Sequence, residues 1–262
     1  CRPYVAPTDI RLPPAGLNRR QNLPPLVEED SLVNHRLPAA TAFARANGID
    51  RVVIDGERRS LAIVSAGKAY LDVRQALADL GLDEEACRRL GIRLYKPGLI
   101  WPMDPVGLTR FAQGSQAVLV VEEKRPVMED QIARQLYALG ADKRPALAGK
   151  QDLQGASLLS PVGELTVGKV RQAIRILLDQ LGIADARVDT RYAAFSGLET
   201  RALKAGSTTV RPAYFCSGCP HNTSTKIPEG SRAMGGIGCH GLVAVVAMDR
   251  NTMQFVPMGH EG

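Results

Sequence analysis

An α/β fold built on a small, mostly parallel sheet is what this sequence predicts, and three observations carry that prediction. Three short runs, 61–65 (LAIVS), 92–95 (IRLY) and 117–121 (AVLVV), are apolar and bounded by turn residues; the first and last are apolar without alternation, as in strands buried on both faces. Each run is followed by a segment with helical spacing, at 70–80, 105–111 and 127–139. Strand and helix alternate in this way over about 80 residues, which requires parallel neighbours joined by right-handed crossovers.

In chain order, residues 1–38 hold seven prolines and no sustained periodicity, so they read as an extended linker, with Pro24-Pro25 on a surface and His35 in a loop. Residues 37–47 (LPAATAFARAN) predict a helix ended by Gly48, and 51–54 (RVVI) a strand. Leu71, Val73, Ala76, Leu77 and Leu80 give the 70–80 helix its apolar positions, and Gly81 ends it. Pro105 suits the first turn of a helix that starts after Asp104. Met128, Ile132, Gln135, Leu136 and Leu139 mark the face of the 127–139 helix. Residues 140–165 read as a connector, 165–181 as an amphipathic helix, and 182–210 as a polar crossing with a short helix at 193–204. The run 242–248 (LVAVVAM) fits a buried strand or the start of a helix. Four segments follow: 1–50 as a linker or the end of a preceding domain, 51–145 as the sheet domain, 146–210 as a helical connector, and 211–262 as the first part of another α/β domain.

In sheets of this kind, functional groups gather beyond the carboxyl ends of the strands. Those ends carry Ser65 to Lys68, the loop Lys96 to Trp101, and Glu122-Glu123-Lys124. Ser65 to Lys68 lacks the long glycine-rich cradle of a P-loop. Glu122 and Glu123 are adjacent in an extended segment and point to opposite sides, so Glu122 or Glu123 reads as holding an inter-domain contact rather than the two forming a shared acid–base pair. Trp101, the one tryptophan, is expected at a domain interface.

The 262 residues carry a net charge of +6, but the basic residues are scattered as separate pairs and aromatics make up only 5%, which argues against nucleic-acid binding. No run of about 18 apolar residues exists to cross a membrane. Five cysteines, an odd number without a secretory signal, fit a reducing cytoplasm rather than a disulfide framework. Cys87 falls in a helical pattern and is expected to be structural. The chain starts without Met and stops in a glycine-rich turn, and so reads as an internal piece of something longer.

Chemistry concentrates near the carboxyl terminus. Cys216-Ser-Gly-Cys219-Pro-His221 is a Cys-x-x-Cys turn, and Cys239 follows in the glycine-rich segment Gly236-Ile-Gly-Cys239-His240. Such a turn directs two thiolates to one centre, which suits zinc or an iron–sulfur cluster. A redox dithiol also has this spacing, although the pair does not follow a strand in a compact βαβ unit. Spacing does not identify a fourth ligand, and cysteine count does not separate zinc from iron.

These motifs, together with Ala62 to Gly67, the loop Leu94 to Pro102 and Val118 to Lys124, resemble the 2-oxoacid:ferredoxin oxidoreductase family, in its long fused form the indolepyruvate ferredoxin oxidoreductases. The resemblance runs over about residues 25 to 262. It implies a transketolase C-terminal-type sheet domain followed by the start of a thiamine-diphosphate-binding α/β domain. It implies oxidative decarboxylation of an arylpyruvate such as indolepyruvate, giving the acyl-CoA, carbon dioxide and reduced ferredoxin. The cofactors implied are thiamine diphosphate with Mg2+ and a 4Fe-4S cluster. By the same resemblance Cys216, Cys219 and Cys239 are cluster ligands, and Gly238, Cys239 and His240 lie near the thiamine. Implied partners are the remaining domains of the enzyme, ferredoxin, coenzyme A and a second copy in a dimer. The Gly-Asp-Gly segment for Mg2+ and the fourth cysteine do not occur in these residues, so the piece by itself is expected to be inactive. The competing reading is a Cys/His zinc module with a structural or interaction role.

Overall fold

A computed structural model describes residues 3–19, 22–206, 214–231, 233–235, 238–246 and 252–255. Two compact units divide the chain, Cys1–Arg201 and Ala202–Gly262.

The first unit begins with a helical run in three parts: α1 (Pro25–Asp30), a π-helical stretch Ser31–Arg36, and α2 (Leu37–Ala46). The expected linker is therefore helical from Pro25, and His35 lies in the π-helical stretch rather than in a loop. Proline breaks a helix in its interior but not in its first turn, where the missing N–H has no partner to lose. Pro38 does sit inside the run. The turn before it is widened, and the Leu37 amide donates to the Leu32 carbonyl, one residue further back than in an α-helix.

The sheet has the order β1-β3-β2-β4-β5, where β1 is Arg51–Ile54, β2 Leu61–Ser65, β3 Ile92–Lys96, β4 Ala117–Val121 and β5 Ala146–Ala148. β1 runs antiparallel to β3 and the other pairs are parallel, with Leu61 opposite Ile92 and Ala117. Every residue of β2 and β4 is buried, as their unbroken apolar runs require. Alternate residues feed two cores. Leu61, Ile63, Leu119 and Val121 pack with α3 (Gly67–Asp79), α4 (Glu84–Leu90) and α7 (Val167–Gln180). Ala62, Val64, Val118 and Val120 pack with α5 (Pro105–Ala112) and α6 (Val127–Tyr137). The mostly parallel α/β sheet read from the sequence is thus present, with helices on both faces. β5 lies inside the stretch read as a connector; three residues are too few to show a period.

Leu71 is 64% exposed and does not belong to the α3 stripe. It stands two residues before Val73, about 200° round the helix at 100° per residue. Gly91 ends α4 in the left-handed region, at φ +78°. It is irreplaceable twice over, because a Cβ there would fall 2.6 Å from the Ser60 hydroxyl oxygen and 2.8 Å from its amide nitrogen. Cys87 is fully buried in α4, and burial pushes its thiol up to about 12, which fits the structural role expected of it.

Residues 182–210 contain α8 (Ala186–Ala205), twenty residues long where the sequence predicts a polar crossing with a short helix. Its apolar face is short, with Val188 buried and Tyr192 packed against the core, and ion pairs tie much of the rest. Arg171 of α7 is buried, pairs with Asp79 of α3 at 2.6 Å and with Glu199 of α8, and lies over the Phe195 ring at 4.6 Å. Arg175 bridges to Asp189 at 2.8 Å.

In the second unit, α9 (His221–Ser224) follows the cysteine turn, and β6 (Ala233–Gly235), α10 (Cys239–Val246) and β7 (Thr252–Phe255) come after it. β6 and β7 pair in parallel, so α10 connects them as a β–α–β crossover. The apolar run from Leu242 is the body of a helix as far as Val246; its last two residues lie outside the described residues.

Candidate functional site

At the carboxyl edge of β2, β3 and β4 lies a cleft of about 850 Å³. Its walls are the entry to α3, the loop after β3 and the turn from β4 into α6. The loop after β3 is held by side chains the sequence places far away. The Asp50 carboxylate accepts the Gly98 and Leu99 amides at 2.7 and 3.2 Å, and the Tyr95 hydroxyl donates to it at 3.0 Å. Gln131 donates to the Ile100 carbonyl and accepts the Met103 amide, both at 3.0 Å. Trp101, between those two bonds, is 58% exposed.

The carboxylates of this edge are used internally. Glu122 is 8% exposed and accepts the amides of Val127, Met128 and Glu129 at 3.1, 2.9 and 2.9 Å. It caps α6 with a negative charge where the helix dipole favours one. Glu123 accepts the Leu165 amide at 3.2 Å. Between them the two carboxylates accept four backbone amides inside the first unit. The two carboxylates do diverge, as neighbours in an extended chain must. Lys150 donates to the Glu122 carbonyl at 2.7 Å, and its amide donates to Glu129 at 3.0 Å. Burial pushes the Glu129 carboxyl up and the Lys150 ammonium down. No sequence period announces Asp50, Gln131 or Lys150, because each acts across the fold rather than along its own element.

In the second unit the cysteine turn closes on itself. The Cys219 amide donates to the Cys216 carbonyl at 3.0 Å, with Gly218 in the left-handed region at φ +74°. Asn222 donates to the same carbonyl through its side chain at 3.3 Å and to Cys219 through its amide at 3.0 Å. The Cys219 sulfur stands 3.3 Å from His221 Nδ1, and the His221 ring stacks on Phe215 with centroids 5.6 Å apart. Cys216 is exposed and Cys219 half-buried. Cys239 opens α10, is exposed, and follows Gly238 at φ +86°. His240 lies in the first turn of α10, and its side chain is outside the described residues, as are Gly236 and Ile237. Cys216, Cys219 and Cys239 are all free thiols, a donor set that suits a thiophilic metal centre. Among the described residues no group of three or more His, Cys, Asp or Glu side chains gathers at metal-binding distance. Among them, too, no helix is long and apolar enough to cross a membrane.

Comparison with known proteins bears on the first unit above all. The indolepyruvate ferredoxin oxidoreductase middle domain family matches residues 50–202. The chain is 28% identical over 193 residues to indolepyruvate oxidoreductase subunit IorA of Thermococcus kodakarensis, covering 71% of this chain and 26% of that one. It is 28% identical over 169 residues to the same subunit of Pyrococcus abyssi, covering 64% of this chain and 22% of that one. The chain thus spans about a quarter of the length of the curated relatives it matches. Among solved structures it resembles a 2-oxoglutarate:ferredoxin oxidoreductase of Magnetococcus marinus at TM-score 0.35 and 16% identity, over 60% of this chain and 24% of that one, a likeness that decides nothing about chemistry. With its five-stranded α/β unit matched along residues 50–202, more than half of its length, the chain belongs to the indolepyruvate ferredoxin oxidoreductase middle domain family.

Proposed function

We propose that the chain is a part of a 2-oxoacid:ferredoxin oxidoreductase that acts on an arylpyruvate of the indolepyruvate type. The substrate and coenzyme A give the acyl-CoA and carbon dioxide, and the two electrons released pass singly to ferredoxin. The family match over residues 50–202 is the observation that carries this reading. The free thiols of Cys216, Cys219 and Cys239, directly downstream of the matched region, support it.

In this reading the first unit is a scaffold, a transketolase C-terminal-type domain that packs against the remaining domains of a dimeric cytoplasmic enzyme. Cys216, Cys219 and Cys239 would hold a 4Fe-4S cluster. Gly238, Cys239 and His240 would lie beside thiamine diphosphate, whose Mg2+ and diphosphate are held by residues outside these 262. When bound, thiamine diphosphate supplies the electron sink for decarboxylation and the cluster supplies a one-electron path. The chain's own part is positional. The bonds between Asn222, Cys216 and Cys219 fix the turn, so both thiols are presented without a large ordering cost at binding. The His221 ring, stacked on Phe215, sets the side of Cys219 from which a hydrogen bond reaches the sulfur.

The test is dye-coupled oxidation of indolepyruvate with coenzyme A by the whole enzyme that contains this chain. Wild type is expected to turn over, Cys216→Ser to lose electron transfer to ferredoxin, and the isolated 262-residue chain to show no oxidation. Turnover by the isolated chain, or full ferredoxin reduction by Cys216→Ser enzyme, would contradict the reading.

A further inference from the structure

We propose that the cleft at the carboxyl edge of β2, β3 and β4 binds a small organic molecule carrying a phosphate group. This goes beyond the thiamine and cluster reading and does not depend on it, because every residue involved lies in the first unit.

The charge balance of the cleft is the first reason. Lys96, Lys124 and Arg125 line it, and none has a carboxylate partner among the described residues. Lys96 lies against the Tyr70 ring, its nitrogen 4.8 Å from the centroid, and Lys124 donates to the Gly163 carbonyl at 2.7 Å. These contacts position the two ammonium groups without neutralising them. Two carboxylates share the lining, Glu122 turned onto the amides of α6 and Glu123 onto the Leu165 amide, and Lys96, Lys124 and Arg125 outnumber them. Three cations, one from the end of β3 and two from the turn after β4, thus face one open cleft.

The second reason is shape. About 850 Å³ is within the range of cofactor-sized sites, roughly 300–1,000 Å³, and far more than an inorganic ion fills. Ile100 and Val127 add apolar wall beside the cations, so an organic body has a surface to lie on. The third reason is backbone strain at the cleft. Lys124 has φ +62°, a left-handed conformation that costs an ordinary residue energy. Glycine would hold that turn without strain, yet a lysine is there. The entry to α3 adds amide donors on the same side: no side chain caps it and its first turn holds no acidic residue. A phosphate suits this set because it accepts several charge-assisted bonds from different directions at once.

The test is calorimetric titration of the 262-residue chain with inorganic pyrophosphate, ADP and adenosine. ADP is expected to bind at one saturable site and adenosine not at all. Lys96→Met and Arg125→Met should each weaken ADP by about tenfold, the loss of one charge-assisted contact. Arg110→Met, a basic residue outside the cleft, should leave the affinity unchanged. Lys124→Gly separates binding from folding: relief of the left-handed strain should raise the melting temperature while ADP affinity falls. No saturable binding, or an equal loss with Arg110→Met, would overturn the proposal. Binding of pyrophosphate without ADP would overturn it as well, since an inorganic anion alone would then occupy the cleft.

Discussion

The two units of this chain treat their reactive groups in opposite ways. In the first unit the buried charges close on one another: Arg171 on Asp79 and Glu199, Glu122 on three amides, Arg93 on Asp55 and the Phe111 carbonyl. Its one described cysteine, Cys87, is sealed in the core with its thiol pushed up by burial. In the second unit the thiols stand outward, with Cys216 and Cys239 exposed and Cys219 half-buried against His221. The lesson is that a cysteine's setting, not its presence, separates packing from chemistry. The first unit closes its buried charges internally, and the second leaves its thiols accessible.

That contrast can be broken or sharpened by substitution. The largest effect should come from the centre of the first unit: Leu119→Ala, at a fully buried position of β4, should cost about 2–5 kcal/mol of stability, read from urea unfolding. Cleaner evidence for internal closure comes from Glu122→Ala, which removes the cap of α6 and leaves its amides without their carboxylate. About 1–3 kcal/mol should be lost, with amide exchange fastest in the first turn of α6. An equal loss spread over the whole unit would show that Glu122 acts as packing rather than as a cap.

Asp104 gives a pH dependence of definite sign. Burial pushes its carboxyl up, but the bonds from Arg45 and from the Gly107 and Val106 amides outweigh this and hold it below the ordinary carboxylate value. A carboxylate depressed in the folded state contributes stability at neutral pH that is lost as the medium is acidified through the folded value. Melting temperature should therefore fall more steeply below about pH 4, the usual range of an aspartate, in wild type than in Asp104→Asn. Parallel acid limbs would contradict that. The smallest effect on stability belongs to the second unit: Cys216→Ser, at an exposed position, should change unfolding by no more than about 0.5 kcal/mol in the metal-free chain.

How much the sequence shows depends on whether a signal is local. The strands at 61–65 and 117–121 are legible because burial on both faces leaves an unbroken apolar run, and α7 because its stripe repeats over fourteen residues. Asp104 is readable as a cap because the cap, the proline and the helix are adjacent. α8 is obscured because its apolar contacts are few, Val188 and Tyr192, and ion pairs to distant Arg171 and Arg175 tie much of the rest. The helix before Leu37 is obscured because prolines at Pro24-Pro25 and Pro38 suggest breakage, whereas one sits at a helix start and the other follows a widened turn. At the site, the Cys-x-x-Cys spacing is local and plain, but the role of Glu122 depends on how β4 turns into α6. Glu122 and Glu123 each accept backbone amides within the first unit, which their adjacency in the sequence does not announce.

The central claim, that the outward thiols of the second unit exist to hold an electron-carrying cluster, is tested most directly by anaerobic reconstitution of the 262-residue chain with ferrous iron and sulfide, followed by metal analysis and electron paramagnetic resonance. The prediction is a brown protein with broad absorbance in the blue, an iron–sulfur signal on reduction, and loss of both in Cys216→Ser and Cys239→Ser. A colourless protein that takes up one zinc per chain through the same cysteines, and no iron, would contradict it.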